Sequence, residues 1–353
     1  MGAIDAWGMF FVAPRQPLEQ REFAIEAPAA GEVVVQIAGC GLCHTDLGFI
    51  DGGVKTRHAL PLVLGHEISG SVVACGAGCE DWQGRQVVVP AVLPCGECEL
   101  CAAGRDNICQ RQQMPGNDFH GGFASHLKVP ARFLCALPDD LRGFPLAELS
   151  VVADAITTPY QSVLRSGLAA GEVAVVIGVG GVGLYMVQHA RNRGAHVIAL
   201  DVDPRRLEAA AAQGAAFTVN AREVDERELR KHLRAACKER GWPDTRWRVF
   251  ETSGTAAGQR SAYALLSFAG TLGVVGFTMD KIELRLSNIM AFDADVFGNW
   301  GCRPAHYPAV VADVLAGRIE LRRNVRQFPL SNLNAVIAEA NAHRLDARAV
   351  LVP

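Results

Sequence analysis

EVAVVIGVGGVGLYMVQHARNRGAHVIALD, residues 172–201, reads as strand, glycine turn, helix and strand in one continuous stretch. Residues 172–178 are an unbroken apolar run, the pattern of a strand buried on both faces. Gly178-Val179-Gly180-Gly181-Val182-Gly183 then satisfies G-x-G-x-x-G, directly after the strand and at the opening of a helix predicted over 181–194. In that context the motif has a mechanism. Gly178 permits the tight turn, Gly180 lets the backbone approach a pyrophosphate, and Gly183 allows close packing of helix on strand. The free amides at the helix start, around Gly181 and Val182, hold the phosphate charge. The stretch closes on Asp201, at the end of the second strand. A carboxylate there accepts hydrogen bonds from the adenosine-ribose hydroxyls and repels a 2′-phosphate, so NAD is favoured over NADP. Its other reading, a helix N-cap, suits Asp203 before Pro204 better. Arg206, on the next helix, either pairs with Asp201, flanks the adenine, or is a solvated helix charge.

Working outward, the alternation continues. A helix is expected over 204–214, and strands at FTVNA (217–221), RVFETSG (248–254) and GTLGVVGF (270–277). Such βαβ spacing predicts a doubly wound parallel sheet with helices on both faces. Residues 1 to about 150 differ: they are rich in Gly, Pro, Val and Cys, with strands expected at 32–40, 68–76 and 86–93. That is a β-rich domain. After GNWG (298–301) a helix begins near Pro304, and the last fifty or so residues are expected to return to the first domain. The division is therefore 1–153 with 298–353, around an α/β domain at 154–297. The 353 residues suffice for two domains, and with half of them hydrophobic a large core can be buried. A net charge of −3 argues against a nucleic-acid surface. No run of about 18 apolar residues suggests a membrane span. The opening MGAIDAWGMFFVAPRQ lacks the basic and apolar regions of a secretory signal, and Ala6 breaks the myristoylation pattern. A cytoplasmic protein is expected.

CGECELCAAGRDNIC places Cys95, Cys98, Cys101 and Cys109 in one short run. The first three thiolates share a tight loop and the fourth returns to close a tetrahedron, which suits zinc. Four protein ligands leave no open position, so this zinc is structural. Disulfides or an iron–sulfur cluster are the alternatives, and the intracellular-enzyme character of the flanking chain weighs against them. The other cysteines (Cys40, Cys75, Cys79, Cys135, Cys237 and Cys302) fall in apolar or loop contexts that predict packing. A second constellation lies in GCGLCHTD (39–46) and LGHEISG (64–70), where Cys43 and His66 are metal-ligand types at strand ends or turns. Neither residue would convince alone.

Together with the cysteine loop and GVGGVG followed by Asp201, these motifs resemble the zinc-dependent medium-chain alcohol dehydrogenases, in the family's order and over essentially the whole chain. The resemblance implies a GroES-like catalytic domain beside the Rossmann domain, NAD, and two zinc ions per subunit, one catalytic and one structural. It makes Cys43 and His66 catalytic-zinc ligands. Asp154, in VVADAITTPYQSV, stands where the family places its third ligand; a helix cap near a domain boundary is the other reading. Three ligands leave a position for water or alcohol. Glu67 would approach the zinc during ligand exchange, and Asp46 would accept the second ring N–H of His66. The alcohol would bind the zinc as alkoxide and pass hydride to NAD. Thr45 resembles the proton-relay hydroxyl, though a turn Thr bonding its own backbone is also plausible. His44 resembles the basic residue that contacts the pyrophosphate. One departure stands out: many relatives carry a relay His five residues after the catalytic Cys, and this chain has Gly48, so the proton leaves by another route.

The segments at 39–48, 58–70, 113–126, 150–161, 250–259, 274–281, 286–292 and 298–302 are similar to a branch of the family from anaerobic aromatic degradation. That branch oxidises the ring alcohol of a cyclohexene-carbonyl-CoA. The resemblance implies a small-molecule acyl-CoA substrate, whose phosphates would need cations such as Lys55, Arg57, His58, Arg105, Arg111 or Arg303. Each of these also reads as a solvated charge. Its enone product would be open to conjugate addition of hydride or water. A zinc dehydrogenase of a small free alcohol or polyol is the alternative, and a zinc hydratase or lyase using NAD structurally is the alternative of another class. FDADVFGNW lies where relatives pair sheets between subunits, so a homodimer or, by preference, a homotetramer is expected.

Overall fold

A computed structural model describes residues 2–353. In chain order the strands are β1 (Ile4–Phe11), β2 (Glu19–Ile25), β3 (Glu32–Gly41), β4 (Leu62–Val63), β5 (Glu67–Cys75), β6 (Gln86–Val89), β7 (His126–Pro130), β8 (Cys135–Ala136), β9 (Val173–Ile177), β10 (His196–Asp201), β11 (Phe217–Asn220), β12 (Arg248–Glu251), β13 (Thr271–Val274), β14 (Asp295–Gly298), β15 (Val325–Pro329) and β16 (Arg348–Val352). The helices are α1 (His44–Ile50), α2 (Glu99–Ala102), α3 (Thr157–Arg165), α4 (Gly183–Asn192), α5 (Pro204–Ala212), α6 (Glu226–Arg240), α7 (Ala256–Ala264), α8 (Ser287–Phe292), α9 (Tyr307–Leu315) and α10 (Leu333–Asn341). Among the described residues no helix is long and apolar enough to cross a membrane. The chain divides into two compact units.

The first unit holds the residues up to Thr157, with Gly301–Gly317 and Leu321–Pro353. Its larger sheet runs β15-β16-β3-β5-β6-β8, with β7 also on β3, and a smaller sheet runs β2-β1-β4. β3 is buried on both faces: Val33 and Val35 join the main core with Leu62, Ile68 and Phe123, while Val34 packs with Ala6, Ile25 and Ala74. Each such fully buried valine contributes about 1.5–3 kcal/mol. The C-terminal strand β16 pairs antiparallel with β3, setting Leu351 opposite Cys40 and Val350 opposite Gly41. β6 stops at Val89, short of the run expected to 93, because Pro90 has no N–H for a ladder bond. The boundary falls after Thr157 rather than after residue 153. The 3-10 turns Leu146–Ala153 pack on β3 and β5, and the Ser69 hydroxyl donates to the Leu146 carbonyl at 2.7 Å. Asp154 thus belongs to the β-rich unit.

The second unit comprises Thr158–Trp300 and Arg318–Glu320. Its six strands are all parallel, in the order β11-β10-β9-β12-β13-β14. Numbered within the unit, that is the 3-2-1-4-5-6 order of the Rossmann fold, with its switch point beside β9. β9 is buried throughout and alternates between two cores: Val173, Val175 and Ile177 on one face, Ala174 and Val176 on the other. The fold class is α/β: one unit is a doubly wound parallel sheet and the other a GroES-like β unit.

Candidate metal centres and nucleotide site

Cys43 ends the segment after β3 and immediately precedes α1. His66 lies just before β5, and Asp154 follows the 146–153 turns. Tertiary structure brings them together. Cys43 Sγ is 3.8 Å and His66 Nε2 3.6 Å from the same Asp154 Oδ2. Tetrahedral zinc with ordinary bond lengths requires about 3.6 Å between sulfur and oxygen and about 3.4 Å between nitrogen and oxygen. The spacings lie close to both, within the tolerance expected of a metal site. Thr45 Oγ1 is 3.8 Å from Cys43 Sγ. His44 is exposed at the first position of α1.

Asp46 holds both ligand loops. Fully buried on α1, it accepts the Cys43 N–H at 3.0 Å through Oδ2 and the Gly65 N–H, next to His66, at 3.1 Å through Oδ1. Oδ1 also lies 3.3 Å from His66 Nδ1, although the alignment falls short of a hydrogen bond. Burial disfavours charge on His66, yet Asp46, with Asp154 and Cys43, carries its pKa well above the ordinary value. The pocket is therefore electrostatically suited to a cation, which is the condition a divalent metal needs. Glu67 is buried as well, and its carboxylate is occupied. Oε2 accepts from Arg348 Nε at 2.7 Å, while Oε1 accepts from Arg348 Nη2 and from the Ala155 N–H at 3.2 Å. Desolvation raises the Glu67 pKa and Arg348 opposes that rise. The four donor groups of Cys43, His66, Glu67 and Asp154 lie within 4.8 Å of one another.

The second cluster is Cys95, Cys98, Cys101 and Cys109. Sulfur–sulfur distances are 3.9 Å for Cys95–Cys101, 3.5 Å for Cys98–Cys101 and 3.6 Å for Cys98–Cys109. A zinc–sulfur bond of 2.3 Å gives a tetrahedral edge of about 3.8 Å, whereas a disulfide needs about 2.05 Å. Backbone N–H groups donate to the sulfurs: those of Cys95 and Arg111 each donate to Cys109 Sγ at 3.3 Å. The Glu97 amide, chief among several donors, lowers the Cys95 pKa to about 6. Burial, with the neighbouring thiols, pushes Cys101 the other way, up to about 12; the four sulfurs together surround one closed position suited to a metal ion.

In the second unit Gly178 has a positive φ of 82° and no room for a side chain, since a Cβ would lie 2.5 Å from Ser253. At Gly183 a Cβ would lie 1.9 Å from the Gly178 carbonyl oxygen. Gly180 differs: its nearest neighbour would be Arg206, at 3.6 Å. Protein packing therefore demands glycine at 178 and 183, while at Gly180 a Cβ would meet only the Arg206 side chain. α4 makes an early internal bond from Leu184 N–H to Gly180 O, so the amides of Gly181 and Val182 precede its regular ladder. Asp201 is buried at the end of β10. It accepts from Val179 N–H at 2.8 Å, Val202 N–H at 2.7 Å and Asp203 N–H at 3.0 Å. Arg206 Nη1 stands 3.9 Å from Asp201, half-exposed. Asp203 caps α5 through the Arg205 N–H, with Pro204 in the first turn.

Residues 29–139 match the family described as Alcohol dehydrogenase GroES-like domain, and residues 181–316 match that described as Zinc-binding dehydrogenase. The chain belongs to the zinc-type medium-chain alcohol dehydrogenases. An alcohol dehydrogenase of Geobacillus stearothermophilus is 29% identical over 340 residues, 96% of each chain. Sorbitol dehydrogenase of Bacillus subtilis is 29% identical over 329 residues, 91% of this chain and 90% of the relative. The crystal structure of the alcohol dehydrogenase from Aeropyrum pernix superposes with a TM-score of 0.88 at 28% identity, covering 98% of this chain and 100% of that one. This zinc-type dehydrogenase is thus an oxidoreductase whose cofactors are zinc and a nicotinamide dinucleotide.

The dehydrogenase also uses residues that motif reading passed over. Arg348, the first residue of β16, is the buried partner of Glu67; a charge adjoining the apolar run Ala349–Val352 was the available signal. Tyr307 donates its hydroxyl to the Ala153 carbonyl, beside Asp154. Among the cations considered for a CoA ester, Arg303 pairs with Asp106 at 2.7 Å, Arg57 with Asp118 at 3.3 Å and Arg111 with Glu97 at 2.9 Å.

Proposed function

We propose that this chain oxidises the ring alcohol of 6-hydroxycyclohex-1-ene-1-carbonyl-CoA to the 6-oxo thioester with NAD, at a zinc ion held by Cys43, His66 and Asp154. The observation that carries the catalytic reading is the state of Glu67. Arg348 occupies both its oxygens, so three ligands remain and a fourth position is open for the substrate oxygen. Zinc bound there supplies Lewis acidity toward that oxygen. The chain's own residues do the rest. Asp46 fixes the Cys43 and His66 loops through the amides beside them. The Thr45 hydroxyl, next to the Cys43 sulfur, is the first station for the departing proton, since Gly48 offers no imidazole. The cysteine lobe at 95–109 holds the second, structural zinc. Gly180 and the amides of Gly181 and Val182 take the pyrophosphate. The buried Asp201 carboxylate disfavours a 2′-phosphate, and its pairing with Arg206 takes up the nearby cation that would otherwise welcome one.

The substrate reading rests on the resemblance of the segments from residue 39 to residue 302. A second reading, a free alcohol or polyol, is favoured by the alcohol and sorbitol dehydrogenases among the relatives. The two separate in one assay: the thioester, its CoA-free acid and cyclohexanol are each offered with NAD or NADP, and products are identified by mass. NADH and the oxo-thioester are expected from the thioester alone. Faster turnover of the simple alcohols would sink the CoA assignment and leave the zinc dehydrogenase reading intact. The same assay, run on the ketone, reports conjugate addition of hydride or water as saturated or hydrated products.

A homo-oligomer belongs to the same proposal. β14 is an open sheet edge, and Phe277, Met279, Leu286, Met290 and Val296 are exposed in the same unit. Such apolar surface beside an unpaired edge favours association with a second copy. A lysine at an edge is a known deterrent to pairing. Val296→Lys is therefore expected to shift the mass measured by light scattering toward one chain. An unchanged mass would place the interface elsewhere.

A further inference from the structure

Asp154 sits on a stretch of backbone that no regular element supports. The 3-10 turns end at Ala153, Asp154 itself is outside a helix at φ −143°, and α3 starts only at Thr157. Its neighbours are held largely by contacts from distant parts of the first unit. On one side, the Ala155 N–H donates to Glu67. On the other, the Ala153 carbonyl accepts the Tyr307 hydroxyl at 2.5 Å and, at the longer distance of 3.5 Å, the Ala91 N–H. The Tyr307 oxygen in turn accepts the Ala91 N–H at 3.3 Å. Tyr307 is 1% exposed at the start of α9, so water cannot replace these bonds.

We infer that Tyr307 is a positioning residue for the catalytic metal, setting the carboxylate of Asp154 through the carbonyl before it. The inference rests on Asp154 being a metal ligand. A carboxylate contributes to a tetrahedral site only if its oxygen is placed to within a few tenths of an ångström. On a backbone joint without a helix or ladder, that placement falls to the flanking bonds. Tyr307 is itself braced. Four residues earlier, Arg303 Nε donates to Asp106 at 2.7 Å, and Asp106 lies in the cysteine lobe between Cys101 and Cys109. The segment from 303 to 307 thus joins the structural-metal lobe to the backbone that carries Asp154.

The test is metal retention in the zinc-loaded enzyme, dialysed against graded chelator, with zinc counted per chain. The cysteine-lobe ion serves as an internal reference. Outer partners of ligands typically change metal affinity by about 10–100-fold. Because Tyr307 acts through a backbone carbonyl, Tyr307→Phe is expected near the lower end: about tenfold less chelator should remove the second ion while the reference ion stays. Cobalt in that site should show a changed visible spectrum. Cys302→Ala, a buried neighbour without a bond to Ala153, controls for packing and should retain both ions. Wild-type retention in Tyr307→Phe overturns the inference, as does parallel loss of both ions or equal loss in Cys302→Ala. Asp154→Ala separates the two levels. If it keeps the second ion, the ligand reading itself fails, whatever Tyr307→Phe does.

Discussion

Asp154→Ala is expected to lower kcat/KM by at least about a thousandfold while one zinc per chain remains. The Asp154 oxygen lies 3.8 Å from the Cys43 sulfur and 3.6 Å from His66 Nε2, so it is shared between the other two ligands. Without it the pocket keeps one thiolate and one imidazole, too few to retain zinc against a chelator. Lewis-acid stabilisation is worth several kcal/mol, and each 1.36 kcal/mol is tenfold in rate. Loss of about 4 kcal/mol gives the thousandfold figure. The cysteine lobe shares no ligand with this pocket, so its ion should stay and the fold should persist. Metal content and steady-state kinetics on one sample check both halves. Full activity with one zinc per chain would mean that the chemistry does not depend on this cluster.

The second large effect concerns stability. Arg348→Ala should destabilise the first unit by about 3–5 kcal/mol, the usual cost of leaving one member of a buried ion pair uncompensated. Glu67 is fully buried and its two oxygens depend on Arg348. At about 2–4 °C per kcal/mol for a unit of roughly 200 residues, the thermal midpoint should fall by about 6–20 °C. The cause is the orphaned carboxylate, not the lost attraction. The double variant Glu67→Gln with Arg348→Met should therefore recover much of the loss, because it buries no charge. Thermal melts of Glu67→Gln, Arg348→Met and the double variant close the cycle. If the double variant is no more stable than Arg348→Ala, the arginine acts by packing alone.

Much of the architecture was legible locally. Residues 172–201 carry the strand, the turn and the helix of the nucleotide unit within thirty positions, and the parallel orientation of its strands follows from repeated βαβ crossovers. The clustering of the cysteine lobe was equally open to reading, since its four cysteines lie within fifteen residues and short spacings constrain geometry tightly. Boundaries were less legible. β6 ends at a proline that the apolar run hid, and the unit boundary passes beyond Asp154 because the 146–153 turns pack on β3 and β5. The separate jobs of the motif glycines were also hidden. Gly178 and Gly183 answer to crowding by Ser253 and by the loop's own carbonyl, whereas a Cβ at Gly180 would meet only the Arg206 guanidinium, at ordinary contact distance.

The sequence by itself determined the two folding patterns, the four-thiolate lobe and the phosphate loop. Each depends on residues close in the chain, where periodicity and spacing carry the physics. Tertiary structure alone decided the rest of the site. Cys43 meets Asp154 across 111 positions, Tyr307 reaches Ala153 across 154, and Arg348 reaches Glu67 across 281. No local rule encodes these contacts. A buried arginine or tyrosine looks in sequence like any other residue of a strand or helix, and only chain closure, with β16 laid against β3, shows which orphaned group it satisfies.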